Sequence, residues 1–205
     1  MCLKSVIYQT IFLLRRIRKF FYVYWNRYLF YVNNIKFGKK LQVYNNVYVM
    51  SHSTSKIIVG DNFVFTSGEC YNPLCRNIKG CIVAKPNAEI IIGNNVGVSS
   101  PCIWSHKKIA IGNNVKIGGD CILMDSDAHS LNYLDRRVST IDKENKKDAP
   151  IIIEDDVLIG TRCIILKGVT IGARSVIGSG SIVTKSIPAD SVAVGNPCRV
   201  IKTLN

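Results

Sequence analysis

From Ile153 onward an aliphatic residue returns every six positions, at Ile153, Ile159, Ile165, Ile171, Ile177 and Val183. Glycine follows three of them, as Gly160, Gly172 and Gly178, and a small or branched residue falls four positions after an aliphatic, at Val157, Cys163, Val169, Ser175 and Ser181. The same grammar occurs earlier as Ile92-Gly93-Asn94-Asn95-Val96 with Val98, and as Ile111-Gly112-Asn113-Asn114-Val115 with Ile117 and Leu123; between these blocks the spacing slips by one. A period of six suits neither a helix nor a long alternating strand. It suits a short strand followed by a tight corner. Three such units close a turn of about 18 residues, and turns stacked at roughly 4.8 Å pair each strand with the one above. Gly and Asn take the corners because they tolerate positive φ. The aliphatics line a narrow interior, each contributing about 1.5–3 kcal/mol when buried.

A different pattern opens the chain, in "SVIYQTIFLLRRIRKFFYVYWNRYLFYV". At 100° per residue on a helix, Leu13, Leu14, Ile17, Phe20, Phe21 and Tyr24 share one face, and Arg15, Arg16, Arg18 and Lys19 the other. The apolar run from Val6 to Leu14 is far short of the roughly 20 residues a bilayer span needs, and no small-residue cleavage site follows it. The expected organisation is a basic amphipathic helical segment over 1–40 and a coil domain over 41–205. Residues 1–37 then lie on anionic lipid or pack on a partner. The plainer alternative is a core-facing helix whose solvated side happens to be basic.

Composition supports one well-buried core, with 47% hydrophobic residues in 205. The net charge of +13 belongs largely to the N-terminus, because no acid precedes Asp61 and ten of the 27 basic residues do. Nucleic acid is disfavoured, since no recognition motif accompanies the charge. The eight cysteines include no C-x-x-C pair, which argues against a metal site. With no export signal, disulfides are not expected either. Cys102, Cys121 and Cys163 fall at inward positions as small apolar fillers.

The tandem [Ile/Val]-Gly-x-x-x-x units resemble the hexapeptide-repeat acyltransferases, and "DDVLIGTRCIILKGVTIGARSVIGSGSIVTKSIPADSVAVGNPCRVIK" resembles the closing half of galactoside, maltose and polysaccharide O-acetyltransferases. The resemblance, which runs from about Leu41 to Asn205, implies an all-β left-handed parallel β-helix with a short N-terminal helical segment and an extruded catalytic loop. It further implies a homotrimer with active sites at subunit interfaces and acetyl-coenzyme A as co-substrate. Counting sixes from Ile111 gives 117, 123 and then 129, so His129 in "LMDSDAHSL" stands where the next inward aliphatic is due, and the polar stretch 130–150 has loop composition. The resemblance makes His129 the catalytic base. Imidazole suits the work, since its proton affinity near neutrality lets it deprotonate an acceptor as that acceptor attacks a thioester. Asp127 or Asp125 could fix the ring tautomer by accepting its other N–H; Asp127 is preferred, as Asp125 could equally contact the acceptor.

By the same resemblance, Gly160, Thr161, Gly178 and Ser179 border the pantetheine arm, and backbone N–H groups near Gly160 stabilise the oxyanion. Thr184, Lys185, Arg199 and Lys202 hold the phosphates. Ser99 and Ser100 fall where the family contacts its sugar, and Arg136 and Arg137 could meet an anionic group. Leu158 departs from the pattern, standing where several sugar acetyltransferases carry tryptophan.

The expected function is acetyl transfer to a sugar hydroxyl of capsule, lipopolysaccharide or exopolysaccharide, in the cytoplasm or on the inner face of the plasma membrane. The alternatives are an amine acceptor such as an amino sugar, a serine acetyltransferase, and a non-catalytic β-helix scaffold. A γ-type carbonic anhydrase would need His52, His106 and His129 as zinc ligands, but the close pair of its pattern is lacking.

Overall fold

In the computed structural model, which describes residues 3–68 and 71–204, the chain after its first helix winds through three parallel sheets in turn. Sheet 1 stacks Lys36–Phe37, Lys56–Val59, Glu89–Ile92, Lys108–Ile111, Ile151–Ile153 and Thr170–Ile171. Sheet 2 begins with Gln42–Tyr44 and Val64–Thr66, continues through Leu158–Ile159 and Val176–Ile177, and ends in the hairpin Ser191–Gly195 with Cys198–Thr203, its one antiparallel pair. Sheet 3 stacks Tyr48–Ser51, Cys81–Ala84, Cys102–Ser105, Ile122–Met124, Ile164–Leu166 and Ile182–Val183.

Register places like over like. Ile109 pairs with Ile90 and Ile151, and Leu123 with Ile103 and Ile165. Each of these aliphatics is buried, and a typical side adds two inward residues per coil to a continuous core, as Ile109 with Ile111 and Cys163 with Ile165 do. The corners between sheets 1 and 2 hold Asn62, Asn95, Asn114 and Asp156 at positive φ, and their side chains form a ladder: Asn62 donates to Asn95 at 2.8 Å, Asn95 to Asn114 at 3.0 Å and Asn114 to Asp156 at 2.9 Å. Asparagine and aspartate earn these places because their short side chains tolerate the left-handed region. Cys121 and Cys163 point inward as expected, but Cys102 does not. It alternates with the buried Ile103 and lies on the outer face of sheet 3 beside Cys81.

Helix α1 (Leu3–Val32) closes the open end of the coil. Gln42–Tyr44 is the edge strand of sheet 2, with no coil before it to take its carbonyls. The buried Asn26 amide donates to the Val43 and Asn45 carbonyls, both at 2.9 Å, and Arg27 donates to the Leu41 carbonyl at 3.3 Å. Phe30 is fully buried in the common core. The coil already begins before residue 41, since Lys36 and Phe37 pair with Ile58 and Val59.

Two segments leave the coil. Among the described residues, 71–80 lie off the coil between sheets 2 and 3, and their 3-10 turn, Pro73–Cys75, is capped by the Asn72 side chain. The second excursion was expected. Its base is closed by Ser126 bridging to Asp148 and by the Asp127 N–H on the Lys147 carbonyl at 3.0 Å. It carries a 3-10 turn, Asp135–Arg137, and helix α2, Ser139–Asn145.

Candidate active site

His129 stands at the start of this second excursion, on the edge between sheets 3 and 1. Its side chain is 69% exposed, and its Nδ1 lies 2.7 Å from Oδ2 of Asp142. The other oxygen of Asp142 accepts the Ser130 backbone N–H at 2.7 Å. The His129 imidazole and the Ser130 amide together hold this carboxyl below the usual carboxylate range. It is therefore ionised near neutrality and can only accept. Nδ1 must carry the proton, which leaves the Nε2 lone pair of the neutral ring available as a base. Nε2 has no hydrogen-bond partner among the described residues.

A second tier of bonds holds the loop. The Ser130 hydroxyl donates to Asp135 at 2.7 Å, Asn145 donates to the same carboxylate at 2.9 Å, and Arg136 donates to the Ser130 carbonyl at 2.6 Å. Arg136 thus serves the loop rather than an outside anion, and Arg137 lies over the Tyr133 ring at 5.4 Å.

The aspartates chosen from sequence are engaged elsewhere. Asp127 pairs with Lys167 of the next coil at 3.2 Å, not with His129. Asp125 is fully buried and accepts from the Ser105 hydroxyl at 2.7 Å and from the backbone N–H groups of His106, Lys107 and Lys108 at 2.6, 2.9 and 2.6 Å. With its oxygens saturated by the turn of the preceding coil, it is a structural clamp, closed to an acceptor. Ser100 is likewise buried, its hydroxyl accepting the Gly68 N–H at 2.8 Å. The Ser99 hydroxyl accepts from Thr66 at 3.0 Å. Both serines lie on the edge between sheets 2 and 3, away from the histidine's edge in the same chain.

Gly160, Thr161, Gly178 and Ser179 share that edge between sheets 2 and 3. A Cβ on Gly160 would stand 2.6 Å from the Ser179 backbone nitrogen, and one on Gly178 would stand 2.5 Å from Val194. Stacking of the coils alone accounts for both glycines. The Thr161 hydroxyl donates to that of Ser179 at 3.2 Å. Thr184 and Lys185 are exposed on the histidine's edge, one coil from the end, whereas Arg199 and Lys202 are exposed on the terminal hairpin. Leu158 faces outward from sheet 2, 47% exposed.

A cluster not foreseen from sequence occupies the histidine's edge one coil earlier. The Trp104 and His106 rings are 5.2 Å apart, with Lys85 Nζ 5.5 Å from the Trp104 ring centre, and Asp148 pairs with Lys146 beside them. Trp104 Nε1, His106 Nε2 and one oxygen of Asp148 are buried without a hydrogen-bond partner. Burial, and then the Lys146 charge, push His106 below its ordinary value, so its ring is neutral. Among the described residues no group of His, Cys, Asp or Glu gathers as a metal site.

Known proteins match this architecture. The repeat described as the hexapeptide repeat of succinyl-transferase matches residues 150–185. Over 56 residues, 27% of this chain, the sequence is 59% identical to the galactoside O-acetyltransferase of Escherichia coli K12, and over 54 residues, 26% of the chain, it is 52% identical to the 2,3,4,5-tetrahydropyridine-2,6-dicarboxylate N-acetyltransferase of Staphylococcus aureus Newman. Over residues 150–185 this chain carries the hexapeptide repeat and is similar there to the hexapeptide-repeat acetyltransferases. Its three parallel sheets stack as in a left-handed β-helix. The fold also matches AntD, an N-acyltransferase of Bacillus cereus, with a TM-score of 0.66 over 88% of each chain at 18% identity. The matches to the two curated relatives span 28% and 23% of those proteins, in the order named.

Proposed function

We propose that the protein is an acetyl-coenzyme A-dependent acyltransferase whose base is His129 and whose acceptor is a saccharide hydroxyl. The observation that carries this reading is an exposed imidazole on an extruded loop, with Nδ1 held by an ionised carboxylate and Nε2 unpartnered. The acceptor O–H attacks the thioester carbonyl carbon as Nε2 takes its proton. The tetrahedral intermediate then expels the coenzyme A sulfur, which recovers that proton from the imidazolium. A base so placed contributes about 10²–10⁴-fold. The acetyl transfer named for both curated relatives, and the complex of AntD with 3-hydroxybutyryl-CoA, support an acyl-coenzyme A donor.

The donor-side residues Gly160, Thr161, Gly178 and Ser179 lie on a different edge of the prism from His129. One chain cannot bring both to a single thioester. The proposed site is therefore a groove between copies, in a homotrimer, with Thr184, Lys185, Arg199 and Lys202 at its phosphate end. The acceptor lies against the half-buried Trp104 and His106 rings, which stand on the histidine's edge one coil earlier and offer apolar faces to a sugar ring. A surface polysaccharide or its precursor fits this chemistry, and the cytoplasmic face of a membrane is where such precursors meet acetyl-coenzyme A.

An amine acceptor is the second reading, favoured by the match to the N-acetyltransferase and by the fold shared with AntD. The full chain, incubated with acetyl-coenzyme A and a panel of neutral, acidic and amino sugars, separates the two. Product that loses its acetyl group in mild alkali is an ester and supports the hydroxyl reading. Alkali-stable product from amino sugars alone establishes the amine, and no coenzyme A release with any acceptor counts against transfer.

A further inference from the structure

Helix α1 is turned the opposite way from an amphipathic helix seated on a core. Asn26 and Phe30 are buried, Arg18 donates to Asn45 at 2.7 Å, and Lys19 lies 4.7 Å from the Tyr44 ring centre, so the polar and basic side meets the coil. Leu13, Ile17, Phe20, Phe21, Tyr24 and Tyr28 fall on the other side and are 55–67% exposed. The plain expectation of a core-facing apolar stripe is thereby reversed. Because the opposite side of the helix covers the free carbonyl edge of the first coil, this apolar face looks away from the coil.

We propose that this face binds an anionic lipid surface, with the helix lying in the headgroup layer. Arg16 borders the apolar face, so that its long cationic side chain reaches up to phosphates while the apolar face sinks, and the helix as a whole carries basic residues and no acid. Tyrosine and phenylalanine together suit that depth, apolar below and polar above. The helix is not long and apolar enough to cross the bilayer. A second copy of the same helix is a poorer occupant. The helix carries six basic residues and no acid, so a second copy adds only like charge to this end of the molecule, whereas anionic lipid neutralises it. The proposal is independent of the catalytic reading.

The test is flotation of the full chain with vesicles of phosphatidylcholine alone or with about one-third phosphatidylglycerol. The chain is expected to float with the anionic vesicles, at least about tenfold more tightly than with the neutral ones, and to lose most of that advantage in high salt. Ile17→Glu with Phe21→Glu lowers the affinity at least about tenfold at unchanged thermal stability. Quenching of wild-type tryptophan fluorescence by brominated acyl chains gives a readout that needs no variant. Absence of flotation, equal binding to neutral vesicles, or absence of quenching overturns the proposal. So does sedimentation in which the double substitution dissolves an assembly of copies while vesicle binding is unaffected.

Discussion

Asp142→Asn asks whether the ring needs its carboxylate. In the native loop Asp142 makes two bonds of 2.7 Å, one to His129 Nδ1 and one to the Ser130 N–H. Asparagine has one oxygen. If that oxygen keeps Ser130, the amide NH₂ faces Nδ1, the ring must turn to the tautomer with its proton on Nε2, and the base is lost. If it keeps Nδ1, the Ser130 amide is left unpaired and the loop shifts. A hydrogen bond to a charged group is worth about 1.5–3 kcal/mol, which at 1.36 kcal/mol per decade is about ten- to 150-fold in kcat/KM. The control is Asp127→Asn, which loosens the Lys167 pair and leaves the ring alone, so its rate should stay within about threefold. The Asp142 carboxyl titrates below its ordinary value, so its contribution is fully present above the unfolded value of about 4 and is lost only as pH falls through the lower folded one. The ratio of wild type to Asp142→Asn should therefore show no step from the carboxylate's own titration above about pH 5. Thiol release with saturating acetyl-coenzyme A measures it. Near-normal turnover by Asp142→Asn, or an equal loss in Asp127→Asn, refutes the tautomer argument.

Gly160→Ala drives a methyl to 2.6 Å from the Ser179 backbone nitrogen, and the calorimetric midpoint should fall by the equivalent of about 1–3 kcal/mol. His106 is neutral in the fold because burial and Lys146 depress it, so the stability it contributes is present above the unfolded value of about 6.5 and declines as pH falls through the lower folded one. His106→Gln should flatten the slope of thermal stability against pH in that acidic window. Asn26→Ala strips the donor from the Val43 and Asn45 carbonyls and should cost about 1–3 kcal/mol in denaturant unfolding. Truncation behaves by where it cuts. Loss of residues 3–17 leaves the cap intact, whereas a cut through residue 37 removes the buried Phe30, worth about 3–5 kcal/mol in itself, and opens the coil end.

The period of six made the coil legible, because in a narrow prism each side buries an aliphatic and the small or branched residue two positions before it, and the pair returns once per side. The position of His129 was legible for the same reason, as a break in a count. Its partner was not. Asp142 lies thirteen positions away and reaches the ring only because α2 folds back over the loop, and the loop offers other acids, Asp135, Glu144 and Asp148, with equal claim. Asp125 shows the converse failure, since adjacency to the histidine suggested chemistry where the physical demand was for an acceptor to saturate the Ser105–Lys108 turn. Trp104 and His106 belong to regular strand and corner positions, so only the orphaned atoms of the folded protein single them out. The two faces of α1 were readable, but which one meets the coil was decided by the unpaired carbonyls of an edge strand, which prefer Asn26 and Arg27 to a greasy cover. The excursion that carries Pro73–Cys75 went unread because a slip in the repeat does not say how far the chain strays.

The most direct measurement compares wild type with His129→Ala for acceptor-dependent release of coenzyme A, alongside calorimetric affinity for acetyl-coenzyme A. The account predicts a loss of at least about 10²-fold in turnover with donor affinity within a few-fold. A variant that still transfers at close to the wild-type rate contradicts it.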